Sequence, residues 1–483
     1  MKKTTIIIAL LCMSITQRLL ARDGYHINLK MPDVSDSVVY LVHYYGQNRP
    51  HIYITDSTKF DKKGQAIFDS KNADFTGGIY IVLLKDPAQT NFEILLNKGD
   101  DLTITALKSK LPEGITFKGS PENDRFKQYL EFINGYAATQ KKMEEDLKAA
   151  TTAADTAAVR TKALAASRSR TKYTRDYAAA YPHTLLSEIF NAMEVPETPV
   201  GPHFLEDGVT KDSTYAYRYY KSHYWDTFNL SDDRLIYTPL YDAKIEEYIT
   251  KLVLPWPDSL EKECDMLLGK AKGTKDMFHY TLFWLTHYVE NSKVMGMDEV
   301  FVYLVENYYM KGDAFWLTNE ELQKYIDRAI AIAPNVIGNV APEIKLTNLI
   351  TKKEETLRAL KARYTLLVFY SPTCGHCQHE IPLLDSVYEA VLKDMGVKVF
   401  TVATEGDDKA ITDFLVKQKI DKKWTNTSDA GHTTDCRSKY DVYSTPTIYL
   451  LDEKKIIRGK RLDHSNIPGL IDMLDKKEKR KIK

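Results

Sequence analysis

The feature that most constrains this chain is a pair of cysteines three positions apart, Cys374-Gly375-His376-Cys377. Before the pair runs Thr365-Leu366-Leu367-Val368-Phe369-Tyr370, an apolar stretch of strand length. After it, Leu383 to Lys393 carries apolar residues at 384, 387, 388 and 391, the spacing of one helix face. The pair is therefore expected where a buried strand gives way to a helix. A cysteine at a helix N-terminus meets free N–H groups and the positive end of the macrodipole, and both favour the thiolate. Its partner lies one turn further on, within reach for a disulfide. That arrangement suits reversible redox chemistry. The same residues could also be half of a zinc site, which needs two further ligands at suitable spacing. His376 and His379 are close by, and His432 with Cys436 makes an i, i+4 pair, but the sequence has no second Cys-x-x-Cys.

Five cysteines are too few for a disulfide-stapled secreted scaffold. Cys264, beside Leu267 and Leu268, and Cys436, in a short expected helix before Tyr440, are read as packed thiols. A third redox role for Cys436 stays open. Cys12 falls in an N-terminal segment of a different kind. Lys2-Lys3 precedes an apolar run from Ile6 to Ile15, and Leu19-Leu20-Ala21 offers a small residue for cleavage after Ala21. Residues 1–21 have the pattern of a secretory signal and are too short to span a bilayer. Cys12 follows Leu10-Leu11 rather than small residues, which argues against lipidation. No later stretch is long and apolar enough to cross a membrane. The expectation is a soluble protein of the periplasm.

Lys and Arg number 66, balancing 66 Asp and Glu, so the basic excess of a nucleic-acid binder is missing. The run Lys476 to Lys481 reads as a solvated end. A length of 483 residues implies several domains, and the patterning changes twice. Residues 22–120 read as β-rich: Tyr25 to Leu29, Val38 to Val42, His51 to Ile54 and Asp101 to Thr105 alternate, and Ile79 to Leu84 is a continuous apolar run. Turn clusters sit at Asp61 to Gly64 and Asn97 to Asp100. An antiparallel β-sandwich is expected there. Residues 121–334 form an all-helical region, opened by Ser120-Pro121-Glu122-Asn123, with Ile245, Tyr248, Ile249 and Leu252 on one helix face. Its aromatics Tyr215, Tyr217, Tyr219, Tyr220, Tyr224, Trp225 and Phe228 could pack helices or make a ligand platform. Residues 335–483 alternate strand and helix, with strands at Val397 to Val402, Thr447 to Leu451 and Lys455 to Arg458, and a closing helix carrying Ile467, Leu470, Ile471 and Leu474. This is an α/β layout around a central sheet.

The segment from Phe369 through Cys374-Gly375-His376-Cys377 to Glu380-Ile381-Pro382 resembles the active-site stretch of thioredoxin-fold proteins. It is most similar to the extracytoplasmic TlpA/ResA-like group, in which Cys-x-x-Cys is followed after two residues by Glu, an apolar residue and Pro. Tyr443-Ser444-Thr445-Pro446-Thr447 looks like the loop carrying that fold's cis-proline. Its distance of 72 residues from Cys374 suits the insertion that marks the group. The β-rich, helical, thioredoxin order is similar to exported multidomain proteins of Bacteroidetes type.

The resemblance implies a C-terminal α/β thioredoxin fold and a set of roles. Cys374 would attack a substrate disulfide, Cys377 would resolve the mixed disulfide, and Glu380 would shuttle protons. Thr445 and Pro446 would pair with a substrate strand, and Gly375 and His376 would tune the pair. Two departures stand out. His376 replaces the proline many such reductases carry before the second cysteine, which leaves the direction of transfer open. Val368 stands where plain thioredoxins have a buried Asp, so Glu380 is the remaining carboxyl for the proton role. The expected activity is a protein thiol–disulfide reductase or isomerase that needs no cofactor, with protein substrates and, by resemblance, a membrane thiol as electron donor. The rival readings are a protein binding a client or surface component with an accessory thioredoxin domain, and copper or zinc handling through Cys374, Cys377 and His379.

Overall fold

The computed structural model describes residues 23–46 and 53–481, with side chains given as far as residue 477. The expected signal segment 1–21, Cys12 included, and His51-Ile52 lie outside the described residues. The chain forms two compact units. One comprises the residues up to Val253 together with Leu267–Tyr280; the other comprises Leu254–Met266 and Thr281–Lys483.

The first unit is built on eight strands, β1 (Tyr25–Lys30), β2 (Val38–His43), β3 (Tyr53–Lys59), β4 (Gln65–Ser70), β5 (Gly78–Leu84), β6 (Asn91–Leu96), β7 (Asp101–Thr105) and β8 (Thr116–Lys118). They make two four-stranded sheets, ordered β4-β1-β7-β8 and β3-β2-β5-β6. Period-two alternation turns Tyr25, Ile27 and Leu29 inward, where Leu102 and Ile104 of the same sheet meet Val39, Leu41, Val82 and Ile94 of the other in one core. The sandwich expected from sequence is present, with one correction: β1 and β7 pair in parallel, from His26 opposite Asp101 to Lys30 opposite Thr105. The two strands are separated by five others, so no tight hairpin dictates their direction. Gly64, at φ +73°, makes the β3–β4 turn; a Cβ there would sit 2.2 Å from the Met31 carbonyl.

Helix α1 (Pro121–Ala149) starts where Ser120 accepts from the Asn123 N–H at 3.4 Å. Asn123 then clips the helix to the sandwich, its amide exchanging two 2.8 Å hydrogen bonds with the backbone of Leu95. α2 (Ala153–Ala180), α3 (Leu185–Ala192), α4 (Tyr215–His223) and α5 (Tyr241–Glu247) follow. Of the aromatic group, Tyr224, Trp225 and Phe228 are buried. Tyr215 and Tyr219 instead stack with His203 and His223 on the outer side of α4.

α6 (Pro257–Ala271) and α7 (Asp276–Glu290) run through the division between the units. The second unit continues with α8 (Met297–Leu304) and α9 (Asn319–Ile332), the latter opened by a capping box of Thr318 and Glu321. A short hairpin, β9 (Lys345–Thr347) and β10 (Glu354–Thr356), leads into β11 (Tyr364–Tyr370), α10 (Gly375–Val387), β12 (Val397–Ala403), α11 (Asp408–Lys417), β13 (Thr425–Ser428), α12 (Cys436–Lys439), β14 (Thr447–Asp452), β15 (Ile457–Lys460) and α13 (Ile467–Lys481). The five strands order β13-β12-β11-β14-β15, with β11, β12 and β13 parallel and β14 and β15 antiparallel.

Every residue of β11 is buried, which is why its sequence is continuously apolar rather than alternating. Leu366, Val368 and Tyr370 face one core, with Cys377, Ile381 and Ile448. Leu367 and Phe369 face the other, with Phe400, Tyr449 and Cys436. β15 begins two residues later than its sequence suggests. Lys455 is taken into a turn at φ +63°, its Nζ buried against the Leu360 carbonyl and the Thr365 hydroxyl, each at 2.7 Å.

Candidate functional site

The fully buried β11 ends at Tyr370, and Ser371-Pro372-Thr373 turn the chain into α10. Cys374 is the cap residue, with φ −74° and ψ 122°, so its side chain stands at the helix's positive end. Its N–H donates to the Ser371 carbonyl at 3.2 Å, and its carbonyl accepts the first helical bond from Gln378 at 3.0 Å. One turn on, Cys377 is fully buried against Val368 and Ile381. Both thiols are free, and Cys374 is the more exposed.

The opposite wall is the β14 lead-in. The peptide joining Thr445 to Pro446 is cis, and the Thr445 carbonyl accepts from the Cys374 thiol at 3.1 Å. Burial alone would raise the Cys374 pKa. Hydrogen bonds from the Thr445 side chain, from Cys377 and from the His376 backbone outweigh it and hold the thiol below its ordinary value. Burial dominates for Cys377 and pushes its thiol up to about 11. The two sulfurs are thus split in the sense an attack-then-resolve sequence needs.

The other residues singled out in the sequence are placed as follows. A Cβ at Gly375 would meet nothing within 4 Å, so the glycine leaves open space beside Cys374. His376 and His379 are exposed on the first turn of α10. Glu380 is half-buried, and one of its oxygens accepts twice from His464, from the backbone N–H at 2.6 Å and from Nδ1 at 2.9 Å. Cys436 is buried on the opposite face of the sheet from Cys377, its N–H held by Asp429 at 2.9 Å and its sulfur 2.8 Å from the Thr434 hydroxyl. Burial pushes its thiol up to about 11. Cys264 is completely buried, and burial raises its thiol as well. Among the described residues, no three His, Cys, Asp or Glu side chains are grouped to hold a metal. No described helix is long and apolar enough to cross a membrane.

Two elements of the site, His464 and Arg328, carried no sequence signal, and a third, Tyr370, was legible only as the end of the buried strand. His464 lies 84 residues from Glu380, in the β15–α13 loop. Tyr370 buries its hydroxyl beside Cys377 without a hydrogen-bond partner, and burial and the neighbouring sulfur raise its pKa. Arg328, on α9, grips Asp441 through both guanidinium nitrogens and donates to the Tyr443 hydroxyl at 3.0 Å, just before the Thr445-Pro446 loop.

Residues 337–460 match the AhpC/TSA family; residues 25–126 and 160–333 match two domains of unknown function, DUF4369 and DUF5106. The thiol-disulfide oxidoreductase ResA of Bacillus cereus is 32% identical over 117 residues, covering 24% of this chain and 64% of the relative. The match therefore spans slightly under two thirds of that relative's length. Among solved structures, a domain of a possible thiol-disulfide isomerase from Cytophaga hutchinsonii is 34% identical, covering 31% of this chain and 99% of its own, at a TM-score of 0.28. A thioredoxin-like protein from Bacteroides caccae is 21% identical, covering 58% of this chain and 99% of its own, at a TM-score of 0.43.

Proposed function

Because the C-terminal domain is a thioredoxin-like domain of the TlpA/ResA-like group, we propose that the chain is an extracytoplasmic oxidoreductase that reduces or isomerises protein disulfides through Cys374 and Cys377. The observation that carries the reading is the split pair: a half-exposed thiol with a lowered pKa at a helix N-terminus, and a buried partner raised to about 11 one turn away.

In this reading the Cys374 thiolate attacks one sulfur of a client disulfide. The client S–S bond breaks, a mixed disulfide forms, and the departing client thiolate takes up a proton. Cys377 then loses its proton and attacks Cys374, which releases the second client thiol and leaves Cys374–Cys377 oxidised. The client gains two electrons, and an external dithiol, of the kind a membrane thiol donor would present, restores the pair. Glu380, held by His464, is the carboxylate that exchanges protons with the pair. The open flank at Gly375 and the exposed His376 adjust the thiolate, and Thr445 and Pro446 face the client chain. Residues 22–120 and 121–334 serve as accessory domains to the thioredoxin-like domain at 335–483, and residues 1–21 direct export.

Reduction of a disulfide-bonded protein by the chain in the presence of dithiothreitol tests the reading. Turnover above the dithiothreitol background that vanishes in Cys374→Ser supports it. Equal rates with and without the chain overturn it.

A further inference from the structure

The second unit contains a cleft of about 650 Å³. One wall is the stretch from α7 to α8 together with α9; the other is the β15–α13 loop. Val294, Met295 and Arg328 line the first, and Arg461, Leu462 and Asn466 the second. Val294 and Met295 are 43% and 39% exposed, an unusual investment of apolar surface for a connecting segment.

Two chains of contact run from this cleft toward the thiol site, each completed by a short step along the backbone. Arg328 lines it and at the same time holds Asp441 and the Tyr443 hydroxyl, with its guanidinium 4.7 Å over the Tyr443 ring. Tyr443 is two residues from Thr445, whose carbonyl accepts from Cys374. On the other wall, Leu462 and Asn466 bracket His464, which holds Glu380, one turn beyond Cys377 on α10. Each wall of the cleft thus connects through one residue to the surroundings of the thiol site, Arg328 to Tyr443 on one side and the loop holding His464 to Glu380 on the other. Arg461 is exposed there, its guanidinium 3.6 Å from an Asp441 carboxylate that Arg328 already neutralises. A guanidinium carries five N–H donors, so this one ion pair leaves others for a peptide carbonyl or carboxylate.

We propose that this cleft holds the polypeptide segment flanking the attacked cysteine of a protein client, with apolar side chains against Val294, Met295 and Leu462 and the backbone anchored at Arg461. The inference rests on the oxidoreductase reading above and adds to it where the client lies: on a wall contributed by helices outside the thioredoxin-like domain. A small disulfide needs only the sulfurs; a protein disulfide needs the cleft as well.

The test uses the full chain with two substrates, insulin as a protein disulfide and 5,5′-dithiobis(2-nitrobenzoate) as a small one, for the wild type, Met295→Glu and Arg461→Glu. The expected result is a fall of about tenfold in the ratio of kcat/KM on insulin to kcat/KM on the small disulfide, carried by KM, the change that loss of one anchoring contact produces. Far-ultraviolet circular dichroism confirms that each variant is folded, and the two variants lie on opposite walls, so either suffices. A ratio within about twofold of the wild type in both variants overturns the cleft while leaving the oxidoreductase reading intact. A wild type that acts on neither substrate overturns that reading, and the cleft proposal with it.

Discussion

A single oxygen of Glu380 accepts both hydrogen bonds that His464 can direct at it, one from the backbone and one from the ring. The carboxyl is therefore fixed in orientation by a loop far away in sequence, on the same helix as the buried sulfur. Replacing Glu380 with Gln keeps an oxygen to accept from His464 and removes the exchangeable proton. We expect the fold to be retained and disulfide exchange to slow by about 100-fold, the lower end of the range of general acid–base contributions. Stopped-flow kinetics alongside thermal unfolding separates the two effects.

The split between the thiols predicts a particular pH dependence. Alkylation follows the thiolate fraction, which rises with pH, so a lowered pKa moves the rate profile to lower pH and a raised one moves it up. Iodoacetamide should modify Cys374 with a midpoint below that of free cysteine in the same buffer. Cys377 should react slowly until the pH approaches about 11. Peptide mapping of the labelled protein at a series of pH values reads both.

Thr445 supplies one of the interactions that lower the Cys374 pKa. Thr445→Val retains the side chain's shape and removes the hydroxyl. One hydrogen bond to a charged group such as a thiolate is worth roughly 1.5–3 kcal/mol, so the Cys374 alkylation midpoint should rise by roughly one to two pH units. An unchanged midpoint would mean that Cys377 and the helix N-terminus set the thiolate without the Thr445 hydroxyl.

Leu366 is fully buried in the core that carries Cys377. Leu366→Ala removes three methyl or methylene groups and leaves a cavity, costing about 2–5 kcal/mol. Urea denaturation followed by tryptophan fluorescence, to which Trp424 in the same core contributes, measures it.

Which parts of this were legible beforehand follows from where the information lies. The cysteine pair, its strand and its helix are written locally, because a strand buried on both faces must be apolar throughout and a helix must repeat its apolar face every three to four residues. β4 and β8 were missed because they show too few inward apolar residues in a row: β4 turns only Ala66 and Phe68 to the core; β6 was missed although it turns Phe92, Ile94 and Leu96 to the core. The parallel β1–β7 pairing was illegible because it joins strands separated by the whole second sheet. Tyr370 was legible as the end of the buried strand but not as the neighbour of Cys377, and His464 and the Arg328–Asp441 grip were illegible for the same reason. Each acquires its meaning from a neighbour brought close by folding, and an isolated histidine, tyrosine or arginine has no period to betray it.

The central claim is that Cys374 and Cys377 interconvert between dithiol and disulfide. Equilibrating the protein in dithiothreitol or glutathione buffers of graded potential, and counting free thiols at each, tests it most directly. The expected result is one two-electron transition, lost in Cys374→Ser, with Cys264 and Cys436 remaining reduced throughout. Failure of a Cys374–Cys377 disulfide to form in any buffer would contradict it.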